Sequence, residues 1–498
     1  VVDIVCRLKD YSMLYVDVEP GLAAEISDYF SFFVPGYKFM PAYKNKVWDG
    51  KIKLFNRMTG ELSAGLYVYL IKFAAERSYS LDTEESDYGL PVPDSQSVLQ
   101  SLPDLLADAK LPFQPREYQY DAIETALKRS RAILLSPTGS GKSFIIYLIA
   151  KYWLQYIANG VGHPKAGRVL VIVPTTSLVE QMHQDFVDYG QDARGMHKIY
   201  SGKDKDTDAA IIISTWQSIY KLPKKWFEQF GMILGDECHG FKSKSLSSIM
   251  NKATEAKYRY GFTGTLDGTL THKLVLEGLF GPVYQVTTTK ALQDDETLAA
   301  LDIKVLLMNY SEEVRKNFGK KTYQDEINFI IGNESRNNFI RNLAISATGN
   351  TLVLYQRVDA HGKPLYDLIN NKVEQGRKVF FVSGDTATSD REAIRKIVEK
   401  QNNAIIVASL GTFSTGINIR NLHNIIFASP SKSQIKVLQS IGRGLRQSDN
   451  GVTTKLFDVA DDLHWGKRNN FTLMHSAERV KMYEKQEFNY EIVKVDIK

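Results

Sequence analysis

The sequence predicts an α/β protein: two tandem parallel-sheet lobes preceded by a small α+β N-terminal domain. Three observations carry that expectation. From Phe113 onward, apolar strand-like runs alternate with helical patterns at the spacing of βαβ units, which implies parallel sheets covered on both faces. The alternation begins a second time near Ile303. Ahead of both, residues 1 to 80 hold two short alternating runs around an amphipathic helical pattern, too little for a lobe of that kind. A chain of 498 residues is also too long for one core, so several domains are expected.

In the N-terminal domain (1–80), Ile4 to Leu8 and Leu14 to Val18 read as strands. Leu22 to Phe33 reads as a helix with Leu22, Ile26, Tyr29 and Phe30 on one face. Residues 37 to 57 then interleave rings with six basic residues against one acid: Lys38, Lys44, Lys46, Lys51, Lys53 and Arg57 beside Asp49. Lys44, Lys46, Trp48, Lys51 and Lys53 are candidates for tracking a phosphate backbone and stacking bases. A half-buried hairpin with its rings inward and its lysines solvated fits the same pattern.

Between Leu81 and Asp108 seven acidic residues occur without one basic residue, together with Pro91, Pro93 and Pro103. Residues 81–112 therefore read as an acidic linker with one short helix near its end. The first lobe (113–298) shows strands at Ala132 to Leu135, Val169 to Val173, Ala210 to Ile213, Met232 to Leu234 and Tyr258 to Phe262, and helices at 144–149 and Ser177 to Tyr189. The second lobe (299–498) shows strands at Ile303 to Met308, Leu352 to Tyr355, Val379 to Val382, Ile405 to Ala408, Ile425 to Ala428 and Leu456 to Val459. Beyond about residue 460 the tail carries no assignable motif.

Net charge is −5 over residues 1–110, +3 over 111–298 and +7 over 299–498. The basic surplus of the two lobes suits a polyanionic partner. No run of eighteen apolar residues exists and the first residues lack a signal pattern, so neither membrane insertion nor secretion is expected. Two cysteines, Cys6 and Cys238, make no disulfide framework and no C-x-x-C zinc site, which fits a cytoplasmic setting.

Three stretches carry chemistry. Ser136-Pro137-Thr138-Gly139-Ser140-Gly141-Lys142-Ser143 lies between a strand and a helix, as a phosphate-binding loop must. Gly139 and Gly141 let the backbone turn its N–H groups inward, Lys142 would reach the β and γ phosphates of ATP, and Ser143 would place its hydroxyl on Mg²⁺. The loop lacks the first glycine of the strict pattern. Gly235-Asp236-Glu237-Cys238-His239 follows an apolar strand; Asp236 could hold Mg²⁺ and Glu237 could deprotonate the attacking water. Cys238 reads as a small buried filler. Gln439-Ser440-Ile441-Gly442-Arg443-Gly444-Leu445-Arg446 sits late in the second lobe, and its two arginines, three apart, could meet a γ-phosphate.

In this order the motifs resemble those of the superfamily 2 helicases. Pro115-Arg116-Glu117-Tyr118-Gln119 resembles the adenine-reading Q-motif region, so Arg116 and Gln119 are implied nucleotide contacts along with Thr138, Gly139, Ser140, Gly141, Lys142 and Ser143. Val173-Pro174-Thr175-Thr176 and Ser214-Thr215-Trp216-Gln217 resemble strand-tracking motifs, which implies nucleic-acid contacts at Pro174, Thr175, Thr176, Thr215 and Gln217. Thr263-Gly264-Thr265 resembles the motif linking nucleotide state to the nucleic-acid groove. Ser383-Gly384-Asp385 and Thr412-Phe413-Ser414-Thr415-Gly416 resemble the second-lobe motifs, implying strand contacts at Ser383, Gly384 and Thr412 and nucleotide sensing at Gly416. His239 and Gln439 resemble the pair that couples the lobes. The resemblance implies that both lobes are RecA-like.

Within that superfamily, the Asp-Glu-Cys-His box, Trp48-Asp49-Gly50-Lys51 and Phe413 to Ile417 look most like the phage UvsW-type helicases. This implies an ATP- and Mg²⁺-dependent motor in host cytoplasm, acting on forks, junctions and R-loops in recombination, repair and replication, and also annealing strands. Its implied partners are branched, single-stranded and duplex DNA and RNA–DNA hybrids, with single-stranded-DNA-binding or recombination proteins as candidates. An RNA helicase is the nearest alternative, since the motor motifs contact phosphates and do not read a 2′-hydroxyl. A restriction-type nuclease has only Asp49-Gly50-Lys51 to support it. A non-enzymatic binding protein conflicts with the intact Lys142, Glu237 and Arg446.

Overall fold

The computed structural model describes residues 2–83, 95–108, 111–157, 166–266, 270–295, 301–318, 321–416, 419, 422–430 and 453–497. The chain divides into two compact units, Val1–Ser136 with Gly141–Val286 and Pro137–Ser140 with Thr287–Lys498.

The N-terminal strands are β1 (Ile4–Leu8), β2 (Met13–Val18), β3 (Ser31–Phe33), β4 (Lys51–Lys53), β5 (Phe55–Asn56), β6 (Glu61–Ser63) and β7 (Leu81–Thr83). They form a sheet ordered β5-β6-β2-β1-β7 and a separate antiparallel ribbon, β3-β4. Period-two alternation sends Ile4, Cys6, Leu14, Val16 and Leu62 into one core, against Ile26 and Phe30 from one side chain stripe and Leu70 and Phe73 from helix Tyr67–Glu76. The helix expected to reach Phe33 runs from Pro20 to Tyr29. Past the buried Phe30, Ser31–Phe33 turns extended because its backbone pairs with Lys51–Lys53, Phe32 opposite Ile52.

This small domain is built onto the first lobe. Leu274, from helix Leu270–Phe280, belongs to its core. A Cβ on Gly65 would lie 1.9 Å from the Glu277 carbonyl oxygen, so only glycine permits that backbone approach. The Tyr69 hydroxyl donates to Glu277 Oε2 at 2.7 Å, Arg131 donates to the Tyr11 carbonyl at 3.0 Å, and the buried Arg259 donates to Ser12 Oγ at 2.8 Å. Burial pushes the Glu277 carboxyl above its ordinary range, opposed by that tyrosine hydrogen bond.

The stretch expected to be an acidic linker is partly structured. Leu81–Thr83 pairs parallel to β1, and helix Ser95–Asp108 runs through Pro103 with Leu102 and Leu105 buried in the first-lobe core. Proline reads as a helix breaker in sequence, but burial of two leucines, worth roughly 1.5 to 3 kcal/mol each, outweighs one missing hydrogen bond.

The first lobe contains β8 (Arg131–Leu135), β9 (Arg168–Val173), β10 (Met196–Ile199), β11 (Ile211–Thr215), β12 (Phe230–Gly235), β13 (Tyr258–Thr263) and β14 (Val283–Gln285), ordered β10-β11-β9-β12-β13-β8-β14 with every pairing parallel. Its strands are apolar throughout because both faces are covered. Val169, Val171 and Val173 enter one core while Leu170 and Ile172 enter the other. The two edge strands, β10 and β14, are short and polar enough to escape the sequence pattern.

The second lobe repeats the plan with β15 (Leu301–Asn309), β16 (Thr351–Tyr355), β17 (Val379–Val382), β18 (Ile405–Ser409), β19 (Asn424–Phe427), β20 (Thr454–Asp462) and β21 (Tyr490–Asp496), ordered β17-β18-β16-β19-β20-β15-β21, again all parallel. The tail without a motif completes this sheet. Helix Phe471–Lys485 is tied to β20 by a buried Arg479–Asp458 pair at 2.7 Å, and β21 pairs along β15. A second buried pair, Arg336–Asp461 at 2.7 Å, fixes helix Glu334–Ser346 to the same strand.

Candidate functional site

Because β8, β9, β11, β12 and β13 are parallel, their carboxyl ends lie on one edge of the sheet, where open α/β sheets bind ligands. In spatial order that edge carries Thr215 ending β11, Pro174 after β9, Asp236 after β12, Thr263 ending β13 and Ser136 after β8. Four strand spacings of about 4.8 Å separate the ends, roughly 19 Å in all. Strand-tracking candidates occupy one half of the edge and nucleotide candidates the other.

The loop after β8 has the backbone a phosphate cradle needs. Gly139 and Gly141 sit at φ of 90° and 79°, a region glycine enters without steric cost. A Cβ on Gly141 would meet Gln119 Nε2 at 2.4 Å, so the glutamine of the Q-like stretch lies directly against the loop. Gln119 is itself held by the Arg116 N–H, which donates to its Oε1 at 3.0 Å in a capping box on helix Glu117–Leu127. Ser140 Oγ donates to the Pro137 carbonyl at 2.7 Å, within the loop. Lys142 opens helix Lys142–Tyr152, and its ammonium rests on the Ser136 carbonyl at 3.3 Å. Ser143 Oγ lies 3.1 Å from the Tyr189 hydroxyl.

Asp236 is 8% exposed and its Oδ1 is buried without a hydrogen-bond partner. Burial, then repulsion from Glu237, pushes its carboxyl up from 3.8 to about 6, with Lys142 pulling the other way. A buried oxygen lacking a partner beside a lysine-bearing loop fits a divalent cation, with Ser143 and Asp236 as the residues to hold it. Glu237 adopts φ +49°, left-handed for a residue with a side chain, which costs on the order of 1 to 3 kcal/mol and persists where surroundings enforce it. His239 Nδ1 stands 3.3 Å from Glu237 Oε2 and 3.0 Å from Thr263 Oγ1, so it bridges the carboxylate to the end of β13. Cys238 is buried with its thiol pushed well above its ordinary range, and a Cβ on Gly261 would lie 2.9 Å from its Sγ; it is packing.

The Asp236 shift sets a pH dependence. The folded state keeps this proton to about pH 6 whereas the unfolded chain releases it near 3.8, so folded protein binds more protons in that window. Stability is therefore highest below it and falls as pH rises through it, by roughly 3 kcal/mol in total. In EDTA, Asp236→Asn is expected to raise the melting temperature at pH 8 and to raise it less at pH 5. Equal gains at both values would show that ionised Asp236 is not what costs stability.

On the other half of the edge, Thr175 caps helix Thr176–Asp188, accepting from the Leu178 N–H at 3.4 Å, and Gln217 Nε2 donates to the Pro174 carbonyl at 3.4 Å. Thr215 Oγ1 lies 2.9 Å from Ser218 Oγ. In the second lobe, Ser383 and Gly384 follow β17 and Thr412 follows the adjacent β18, bonded to Ser409 Oγ at 2.6 Å. Gly384 meets nothing within 4 Å at its Cβ position, leaving room for a backbone to approach. Gly416 ends helix Leu410–Gly416. Gln439, Arg443 and Arg446 lie outside the described residues.

In the N-terminal ribbon, Trp48 is half-buried and donates from Nε1 to the Lys51 carbonyl at 2.8 Å, while Lys44 and Lys46 are exposed. Lys51 lies over the Phe33 ring at 5.0 Å. Asp49 accepts from the Lys51 N–H at 3.0 Å and pairs with Lys53 at 2.8 Å, which makes it a turn former. Sequence reasoning passed over Phe113, whose 49% exposed ring packs against Phe144 at 4.7 Å beside the loop.

Comparison with known proteins agrees with this arrangement along the whole chain. Residues 3–84 match the family described as "DNA helicase UvsW, N-terminal", residues 112–268 "Type III restriction enzyme, res subunit", and residues 335–448 "Helicase conserved C-terminal domain". The ATP-dependent DNA helicase uvsW of Enterobacteria phage T4 is 35% identical, across 99% of this chain and 100% of that protein. The chain belongs to the UvsW family of superfamily 2 helicases. The crystal structure of T4 UvsW overlays with a TM-score of 0.50 at 32% identity, covering all of both chains. A DNA 3'-5' translocase, XPB2 of Sulfurisphaera tokodaii, is 21% identical over 84% of this chain and 93% of its own length. As a UvsW-family member the chain is an ATP-dependent helicase acting on nucleic acid, and its two seven-stranded sheets are tandem RecA-like lobes. No helix among the described residues is long and apolar enough to cross a membrane.

Proposed function

We propose that this UvsW-family chain is a translocase of branched DNA, driving forks, junctions and R-loops in recombination, repair and replication, and annealing strands. The observation that supports the branched substrate is that the N-terminal domain, which carries the basic and aromatic segment 37–57, is built onto the ATP-handling lobe through Gly65, Tyr69 and Arg259. One unit then carries two nucleic-acid surfaces, the strand-tracking half of the sheet edge and the ribbon with Lys44, Lys46 and Lys51. Two fixed surfaces suit a substrate whose strands diverge. The domains are 1–80, the connecting stretch 81–112, and lobes 113–298 and 299–498.

In this reading Gly139 to Ser143 cradle the phosphates of ATP, Lys142 bears on the β and γ groups, and Arg116 and Gln119 read the base. Ser143 and Asp236 would hold Mg²⁺, which neutralises charge on the phosphates when bound. Glu237 takes the proton of the attacking water, and His239 carries the state of that carboxylate to Thr263. Arg443 and Arg446 supply positive charge to the γ-phosphate, Gln439 acts with His239 in coupling the lobes, Gly416 senses the nucleotide, and Pro174, Thr175, Thr176, Thr215, Gln217, Ser383, Gly384 and Thr412 grip the strand.

Turnover and unwinding measured on single-stranded DNA, forks, four-way junctions, RNA–DNA hybrids and RNA duplexes test this. Highest activity is expected on forks and junctions at equal nucleotide concentration. Equal or greater activity on wholly RNA substrates would favour the RNA reading instead.

A further inference from the structure

Between β3 and β4, residues 34 to 50 form an excursion whose backbone closes on itself. The Val34 N–H bonds the Gly50 carbonyl, Met40 bonds Tyr37, Lys46 bonds Tyr43, and the Val47 and Trp48 N–H groups both bond Ala42. The Tyr37 ring stacks on Phe33 at 4.6 Å, meets Tyr43 edge-on at 4.7 Å, and fills the space where a Cβ on Gly50 would lie at 2.3 Å. Trp48, bonded to Lys51, braces the base. Tyr37 packs within the excursion and Trp48 bonds its base, and the most exposed apolar side chains of the excursion are Phe39 and Val47, 80% and 81% exposed, with Met40 at 37%. Lys38, Lys44 and Lys46 of the same excursion are exposed, and its one acid, Asp49, is paired with Lys53.

An exposed ring on a braced backbone loses little freedom when it binds, and cations around it match a polyanion. The excursion offers no planned array of donors and acceptors for base edges, so it would read a base by its face. An apolar ring such as phenylalanine is among the side chains that proteins insert at base steps. In intact duplex those faces are covered, and the uncovered one is that of the last pair before the strands part. We propose that Phe39 stacks on the terminal base pair at a single-strand–duplex junction, so that the excursion marks where the duplex ends.

The proposal rests on the DNA-motor reading above, and its test keeps the two apart. A fork carrying 2-aminopurine at its terminal pair is titrated with the full chain, without nucleotide, alongside single-stranded DNA of the same length. Wild type should change the probe's fluorescence. Phe39→Ala should abolish that change and lower the fork-to-single-strand affinity ratio about tenfold, the size of one lost base stack; Phe39→Trp should restore both. Phe39 is a surface ring, and an unchanged melting temperature confirms that the variant is folded. An unaltered probe signal and ratio in Phe39→Ala overturns the proposal, as does an equal loss on both DNAs. DNA-stimulated ATP turnover by wild type reports on the motor reading independently of either result.

Discussion

Replacing Glu237 by glutamine is expected to lower DNA-stimulated ATP turnover by about 10² to 10⁴-fold, the range for losing a positioned general base. The substitution keeps shape and removes only the acceptor charge. Glu237 is held in a left-handed backbone conformation at the carboxyl end of β12, and its carboxylate is 3.3 Å from His239 Nδ1. Such strain, where it is found, marks a position the surroundings dictate. The variant should bind ATP as wild type does, because the cradle from Gly139 to Ser143 is untouched. It should also make Asp236 easier to ionise, since Glu237 is the second cause of that group's raised value. Single-turnover hydrolysis and nucleotide binding, measured side by side, check the split; turnover within tenfold of wild type would remove Glu237 from the role of base.

The parts of the site that could be read in the sequence are those where chemistry dictates residue type at a strand end. Gly139, Gly141 and Lys142 follow β8, Asp236 and Glu237 follow β12, and the parallel order of the strands brings them to one edge. The strands themselves were legible because burial on both faces leaves long apolar runs such as Arg168–Val173. What escaped was structure made by partners distant in sequence. Edge strands β10, β14 and β21 have one neighbour each and need no apolar run, so Met196-His197-Lys198-Ile199 looks like a loop. The docking of the N-terminal domain rests on Gly65 against Glu277 and Ser12 against Arg259, contacts over two hundred residues apart that no local pattern encodes. It has a practical consequence. Cutting the chain at residue 80 would strip Leu274 of its core and take one hydrogen-bond partner each from Arg259 and Glu277, so point changes such as Phe39→Ala are the cleaner probe of that domain. Trp48 was legible as an aromatic among lysines, but its hydrogen bond to the Lys51 carbonyl, which fixes the ring's orientation, was not.

Lys142→Ala is expected to lower turnover by about 10² to 10³-fold, as loss of one preorganised charge at a reacting oxygen does, and to weaken nucleotide binding as well. Its ammonium now rests on the Ser136 carbonyl, a group of the same loop, so binding a phosphate exchanges one acceptor for a stronger, charged one without moving the helix that carries it. A second consequence separates electrostatics from simple damage. Lys142 opposes the rise of the Asp236 proton affinity, so its loss should move the acid limb of the turnover profile to higher pH. Glu237→Gln should move that limb the other way. A variant that was merely misfolded would lose activity at every pH, with no displacement of the profile. Opposite displacements from the two residues would tie both charges to the one buried carboxylate between the loop after β8 and the end of β12. Coincident profiles in the two variants would show that Asp236 does not titrate under their influence.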